Sequence, residues 1–379
     1  MPLVVLATGA PAVVAPLTKQ LETSLVKARR AESPLERPRR IIDLNRLKNL
    51  KRKETQMETL LKSSLFSILI LFMPGLVFAE TIKVGYSAIA GNQLPAWVAK
   101  DAGIFDKNGL DVQLVHAEGN VAVLGLLSGN FAISQVAGPA VVNSALKGSD
   151  VAYVAGGMTS LNYYLMVRPE IKSPEQLKRK IVAISRFGSA SDFITQLALE
   201  RIGLKAGKDV VIVQMGDAPR RIEAAMANQI QGVVLDPPAN VIAERRGMVS
   251  LVNLAEQGLV YQHTGAVTTR KYIREHPDIV RRYVKSQVEA VHRIYTDKET
   301  SVKVLVKYFG ESIDRDILEA TWKNLADERI LPRKQYPSSE GIKTILGPQN
   351  KGLDPASFID SQFIRELDES GYIDRLYKK

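Results

Sequence analysis

The chain contains no cysteine. That absence excludes disulfides, thiolate metal centres, cysteine nucleophiles and the lipid-bearing cysteine of a bacterial lipoprotein. Histidine is nearly as scarce. His116, His263, His276 and His292 stand far apart without metal-ligand spacing and read as surface or core side chains. No Ser-His-Asp grouping, glycine-rich phosphate loop or His-Glu-x-x-His zinc helix is present. No catalytic group, metal or cofactor is therefore expected.

What is there is ordinary for a folded protein, at 45% hydrophobic and 24% charged, and 379 residues suffice for two cores. A net charge of +11 would suit a nucleic acid or an anionic membrane if it were spread over one face. Residues 1–79, however, hold 13 Lys and Arg against 6 Asp and Glu, leaving 38 against 34 in the remaining 300. The basic excess is mainly N-terminal. Nothing in residues 1–79 reads as a helix-turn-helix, so no nucleic-acid partner is expected.

Met57 opens METLLKSSLFSILILFMPGLVFA, in which Lys62 precedes an apolar run from Leu65 to Met73, a Pro74-Gly75 break and small residues at Val77 and Ala79. This is the layout of a secretory signal peptide over 57–79, with the mature chain starting at Glu80. A membrane anchor needs about 20 uninterrupted apolar residues, and this run is shorter and broken. Residues 1–56 sit awkwardly ahead of such a signal. They read either as a non-native or disordered extension, with translation starting at Met57, or as a basic interaction arm ending in Lys51-Arg52-Lys53.

From Thr81 onward, strand-like runs alternate with helical patterns, the signature of α/β architecture with largely parallel sheets. Strands are predicted over 81–87, 111–117, 131–137, 180–186, 210–215 and 232–236. Pro95 and Pro139 open helices that stop at Gly103 and Gly148. Ser173-Pro174-Glu175-Gln176 and Ser189-Ala190-Ser191-Asp192 have the form of capping boxes, and Asp217 caps another start near Pro219. Between His276 and Tyr295, the residues Ile279, Tyr283, Val284, Val288, Val291 and Ile294 recur at helical spacing and should face a core.

The stretch from Ile82 to about Thr268 resembles the ABC solute-binding proteins for nitrate, taurine, aliphatic sulfonates and thiamine precursors. The residues that carry the likeness are GYSAIAGNQLPAWVAKDAGIFDKNGLDVQLV (Gly85 to Val115), LLSGNFAISQVAGPAVVNSALKGSDVAYVAG (Leu126 to Gly156), SRFGSASDFITQLALERIGLKAGKDVVIVQMG (Ser185 to Gly216) and GVVLDPPA (Gly232 to Ala239). The resemblance implies a periplasmic-binding-protein type II fold, with two α/β lobes of mainly parallel sheet, two crossover strands and a ligand cleft between. Lobe 1 would take 80–167 and 267–379, with the C-terminal helices, and lobe 2 would take 168–266. The chain departs from the family at Asn130 or Phe131, where an acidic residue is common, at Leu235, where an aromatic is common, and at Asp192.

Loops after parallel strands and helix N-termini should face the cleft, which makes an anionic group the first expectation. Candidate ligand-binding residues are Ser87, Asn92, Gln93, Gln135 and Gly138 from lobe 1, and Arg186, Ser189, Ser191, Asp192 and Asp236 from lobe 2. Glu118, Asn120 and Asp217 lie on the same loops. Arg186 could fork onto a carboxylate or sulfonate, or pair with Asp192 or Asp217. Ser189 serves a ligand or caps its helix, and Asp192 either stabilises its own helix start or attracts an amine. Asp236, preceding Pro237, could hydrogen-bond a ligand. Trp97, Tyr163 and Tyr164 could stack on a flat ligand, though core packing is commoner.

The reading is a monomeric periplasmic solute-binding protein of an ABC importer, taking a small organic or anionic solute to a permease and, through it, an ATPase. A sensory binding module for a membrane receptor stays open. A thiamine-pyrimidine synthase-like enzyme fits less well, because that enzyme depends on a cysteine-rich iron site. Mass spectrometry of the exported protein should find Glu80 at its N-terminus and no peptide from residues 1–56. A peptide from that stretch would instead establish the basic arm as translated.

Overall fold

Runs rich in Val, Ile and Ala pair into sheets because β-branched side chains suit a pleated, covered surface. The computed structural model describes residues 80–378. The signal peptide and extension expected over residues 1–79 lie outside them. The first sheet takes β1 (Glu80–Tyr86), β2 (Leu110–His116), β3 (Ile133–Ala137) and β4 (Val151–Gly157). The second takes β5 (Tyr164–Val167), β6 (Ile181–Ile184), β7 (Val211–Gln214), β8 (Gly232–Leu235) and β9 (Val249–Asn253). The chain then returns to the first sheet as β10 (Thr264–Thr269).

The strand orders are β2-β1-β3-β10-β4 and β7-β6-β8-β5-β9. In each sheet one strand runs against the rest: β10 is antiparallel to β3 and β4, and β5 is antiparallel to β8 and β9. These two strands are the ones entered directly after the chain changes sheet. The crossing segments run side by side, with Tyr261 N–H donating to Thr159 O at 3.1 Å, His263 N–H to Met158 O at 3.0 Å, and a Ser160–Val260 bridge. The expected mainly parallel, two-lobed architecture is thus present, with the antiparallel member of each sheet supplied by a crossover.

Two strands go beyond the six read from sequence pattern and the two crossover strands that the resemblance implies. All seven residues of β4 are buried, so its apolar run carries no alternation, and its edge is covered by the loop that places Asp360 N–H 2.8 Å from Tyr153 O. β9 is a short edge strand of mixed exposure. The Ser173 capping box does not form: its helix is one turn, Pro174–Leu177, and Gln176 Oε1 instead accepts from Lys172 N–H at 2.6 Å.

The helix Pro277–Thr296 buries the predicted apolar face against the first sheet, with Tyr283, Val284, Val288, Val291 and Ile294 all fully buried. Gln287 on this helix ties it to the sheet and to the C-terminal loop. Its Nε2 donates to Gly156 O at 2.5 Å and to Gln335 Oε1 at 2.9 Å, while its Oε1 accepts from Gln135 Nε2 at 2.7 Å. Removing it orphans buried partners. Gln287→Ala should lower unfolding stability by about 2–4 kcal/mol, read as a reduced urea midpoint. A loss below about 1 kcal/mol would mean that water replaces the amide.

Candidate functional site

Six loops, each leaving the C-terminal end of a parallel strand, meet between the two sheets. Ser87 follows β1, Glu118 lies just past β2, and Ala137 ends β3; Ser185, Asp217 and Asp236 follow β6, β7 and β8. Together with Tyr163, His263 and Thr264 of the crossover they line a cavity of about 70 Å³. Ligands of open α/β sheets bind at such strand ends because helix N-termini and unpaired loop groups converge there.

The two lobes touch across this cavity. Asn92 Nδ2, in the turn after β1, donates to Asp236 Oδ2 of the other lobe at 2.9 Å. The Arg186 guanidinium stands 3.6 Å from the Glu118 carboxylate. Gly119 holds φ +55°, and a Cβ there would lie 3.2 Å from Ser189 Cβ. That approach is tighter than an ordinary Cβ contact, and with the two side-chain contacts it makes the structure a closed one.

Behind Asp236 runs an ordered chain of hydrogen bonds. Asn92 Oδ1 accepts from Thr264 Oγ1 at 3.0 Å and from Gln93 Nε2 at 2.9 Å, and Thr264 Oγ1 lies 3.0 Å from His263 Nδ1. Tyr163 stacks on the His263 ring, centroids 5.1 Å apart and planes within 4°. On the lobe 2 wall the hydroxyls of Ser185, Ser189 and Ser191 lie 2.9–3.0 Å from one another. Arg221, 6% exposed, donates from Nε to Asp217 O at 3.3 Å and from Nη1 to Val234 O at 3.0 Å.

The electrostatics follow from burial. Loss of water pushes the Asp236 carboxyl up to about 6, against the opposing pull of the Asn92 hydrogen bond and the Arg221 charge. The same loss pulls His263 down to about 3, so its ring is neutral at ordinary pH. It also pulls the Arg221 guanidinium down, which Asp236, Tyr163, Asp217 and Glu118 oppose.

Of the candidates read from sequence, Ser87, Asn92, Ser189, Ser191 and Asp236 line the cavity. Five do not. Gln93 backs Asn92, and Gln135 points into the core, where its Nε2 donates to Tyr283 OH at 2.9 Å. Gly138 packs its backbone on residues 262–263, with its N–H 3.0 Å from His263 O. Arg186 pairs with Glu118, rather than with Asp192 or Asp217. Asp192 closes its own helix start, accepting from Gly188 N–H at 2.7 Å, while Ser189 Oγ accepts from Asp192 N–H at 3.4 Å. Trp97 is buried against Tyr308 at 4.2 Å, and Tyr164 lies on β5, outside the cavity lining.

The residues that sequence reasoning missed are Arg221, His263, Thr264 and Ser185. Arg221 carried one readable signal: four positions after the Asp217 cap, it falls on the same helix face as the cap.

Two five-stranded, mostly parallel sheets joined by paired crossovers around a shared cavity define the periplasmic-binding-protein type II fold. Within it, the chain belongs to the NMT1/THI5-like family, which matches residues 90–300. Solved structures of similar fold include a protein from Bordetella bronchiseptica RB50, with TM-score 0.67 and 18% identity over 76% of this chain and 97% of that one. The periplasmic nitrate-binding protein NrtA from Synechocystis PCC 6803 is similar at TM-score 0.65 and 13% identity, covering 77% and 89%. A zinc-bound ligand-binding component of an ABC-type import system from Staphylococcus aureus is similar at TM-score 0.60 and 16% identity, covering 76% and 98%. No curated protein matches the chain in sequence.

Because the folded carboxyl of Asp236 titrates above its usual range, its contribution to stability is full at low pH and is lost as pH rises through about 6. Asp236→Asn stays neutral throughout. It should therefore melt higher than the parent at pH 7.5, by about 1–2 kcal/mol once the water reaching the cavity is allowed for, with the gain vanishing near pH 4. Paired melts at the two pH values check this, and a loss of stability at pH 7.5 would contradict it.

Proposed function

We propose that this protein is the solute-binding component of an ABC importer, capturing a small organic solute between its lobes and presenting the closed form to a membrane permease. The observation that carries the reading is a small cavity walled by both lobes and bridged by Asn92 and Asp236. A site walled by both lobes changes shape when they separate, so capture is coupled to hinge motion, and among the described residues the paired crossovers are the covalent joints about which it can occur. A further clasp lies outside the cavity, where Arg245 of lobe 2 bonds Asp314 and, at 2.5 Å, Asp316. The similarity to binding proteins of import systems supports the same reading.

The cavity chemistry suits retention rather than turnover. Its one histidine is held neutral and packed under Tyr163, and each hydroxyl of the serine cluster leans on another hydroxyl rather than on a general base. Export to the periplasm, without a lipid anchor, and action as a monomer complete the proposal.

A solute that contacts both lobes stabilises the closed form by its differential affinity, and Asn92 is part of the closed contact. Native mass spectrometry of the protein purified from its own cells should show a small non-covalent adduct, and small-angle scattering should show expansion when the adduct is dialysed away. Asn92→Leu should weaken retention about tenfold or more. Unchanged scattering on loss of a confirmed adduct would overturn the hinge mechanism.

A further inference from the structure

The direction of the hydrogen bonds around the cavity limits what can enter it. An ionised Asp236 only accepts, so the Asn92 amide must turn Nδ2 toward it and Oδ1 toward Thr264 and Gln93. Thr264 therefore gives its single hydroxyl proton to Asn92. Its oxygen is left to accept from His263 Nδ1–H. This assigns the Nδ1–H tautomer and leaves Nε2 as a bare lone pair. His263 is 1% exposed, lines the cavity, and its Nε2 has no hydrogen-bond partner among the described residues. A buried acceptor without a donor costs about 1–3 kcal/mol, which a ligand N–H could recover.

Several donors that would greet an anion are already engaged. Ser185, Ser189 and Ser191 can each donate to the next around a closed ring, spending three protons on three acceptors. Asp192 and Asp217 sit at the first turns of the two lobe 2 helices beside the cavity, Asp217 accepting from Arg220 N–H at 3.2 Å, and so offset the positive helix ends. Arg221 spends Nε and Nη1 on carbonyls. The lining carries three carboxylates, Glu118, Asp217 and Asp236, against this one guanidinium. With Arg186 balancing Glu118 at 3.6 Å, one negative charge remains.

We infer that the cavity is built for a small organic monocation that brings its own N–H donors, an ammonium or amidinium group, with Asp236 and His263 Nε2 as its acceptors. The inference rests on the solute-binding reading and names the ligand class for that same site. In the closed form the volume of about 70 Å³ holds about five water-sized groups, which sets the scale of the cationic head. A cation restores neutrality; an anion would add to an uncompensated charge in a site with little water.

Isothermal titration of the full chain with methylammonium, acetamidinium and methylguanidinium chlorides, against sodium nitrate, acetate and methanesulfonate at equal ionic strength, tests this. At least one cation should bind saturably with no heat from the anions. Asp236→Asn, expected to fold at least as well as the parent, should weaken that cation about tenfold or more. Glu118→Gln should weaken it less. Nitrogen NMR should report an unprotonated His263 Nε2 whose signal shifts when the cation is added. Binding of an anion with the cations silent would overturn the ligand class and leave solute capture standing. Cation binding that ignores Asp236→Asn would overturn the site. Silence from every probe at millimolar concentration would overturn the class, and the adduct and scattering measurements would then decide separately whether solute capture stands.

Discussion

Asp236 belongs to one lobe and its hydrogen-bond donor, Asn92, to the other. In this closed form the carboxylate has lost its water and has in return one amide, the Arg221 charge and whatever the cavity holds. A charge so treated raises the energy of the empty closed state, and a donor arriving in the cavity lowers it. In the proposed capture cycle, the balance between open and closed forms thus hangs on how well one carboxylate is paired. Arg221 is near enough to temper the charge, yet its Nε and Nη1 donate to the carbonyls of Asp217 and Val234. The protein does not complete the pair by itself.

That electrostatic device depends on a mechanical one. Each sheet has four strands running one way and a fifth running against them, and the fifth is the strand laid down as the chain arrives from the other lobe. The crossovers hydrogen-bond to each other, so they flex as a pair. His263 and Thr264 follow directly on one crossover and Tyr163 on the other, which puts the residues behind Asn92 and Asp236 at the pivot itself. The helix Pro277–Thr296 and the Gln287 network tie together the rest of lobe 1, which leaves the proposed motion to the crossovers.

The structural relatives share this frame at 13–18% identity. Identity at that level preserves the alternation of strand and helix and the burial of the core, because many apolar sequences satisfy the same packing. It shows the fold alone, so the cavity wall, where a single carboxylate or a single donor-acceptor choice decides what is held, is read from this chain's own residues.

Much of the frame was legible in the chain alone. Strand runs with Gly and Pro punctuation place Ser87, Asn92, Ser189, Ser191 and Asp236 on loops at strand ends, and the structure gathers all five around one cavity. The spacing of Ile279 through Ile294 predicts the buried face of the longest described helix, because a 3.6-residue period depends on neighbours a few positions away. Other features depend on distant chain. Gln135 has the position of a cleft residue, yet its side chain meets Tyr283 and Gln287, about 150 residues on. Arg186 meets Glu118 because the lobes close. His263 reads as a core histidine and is one by burial, but its tautomer is settled through Thr264, Asn92 and Asp236, three residues from separate parts of the chain. Local sequence determined the elements and the loops between them, since those follow from backbone preference and apolar period. Which polar atoms are spent on each other and which are left facing the cavity was decided only when the tertiary fold brought them within hydrogen-bonding distance.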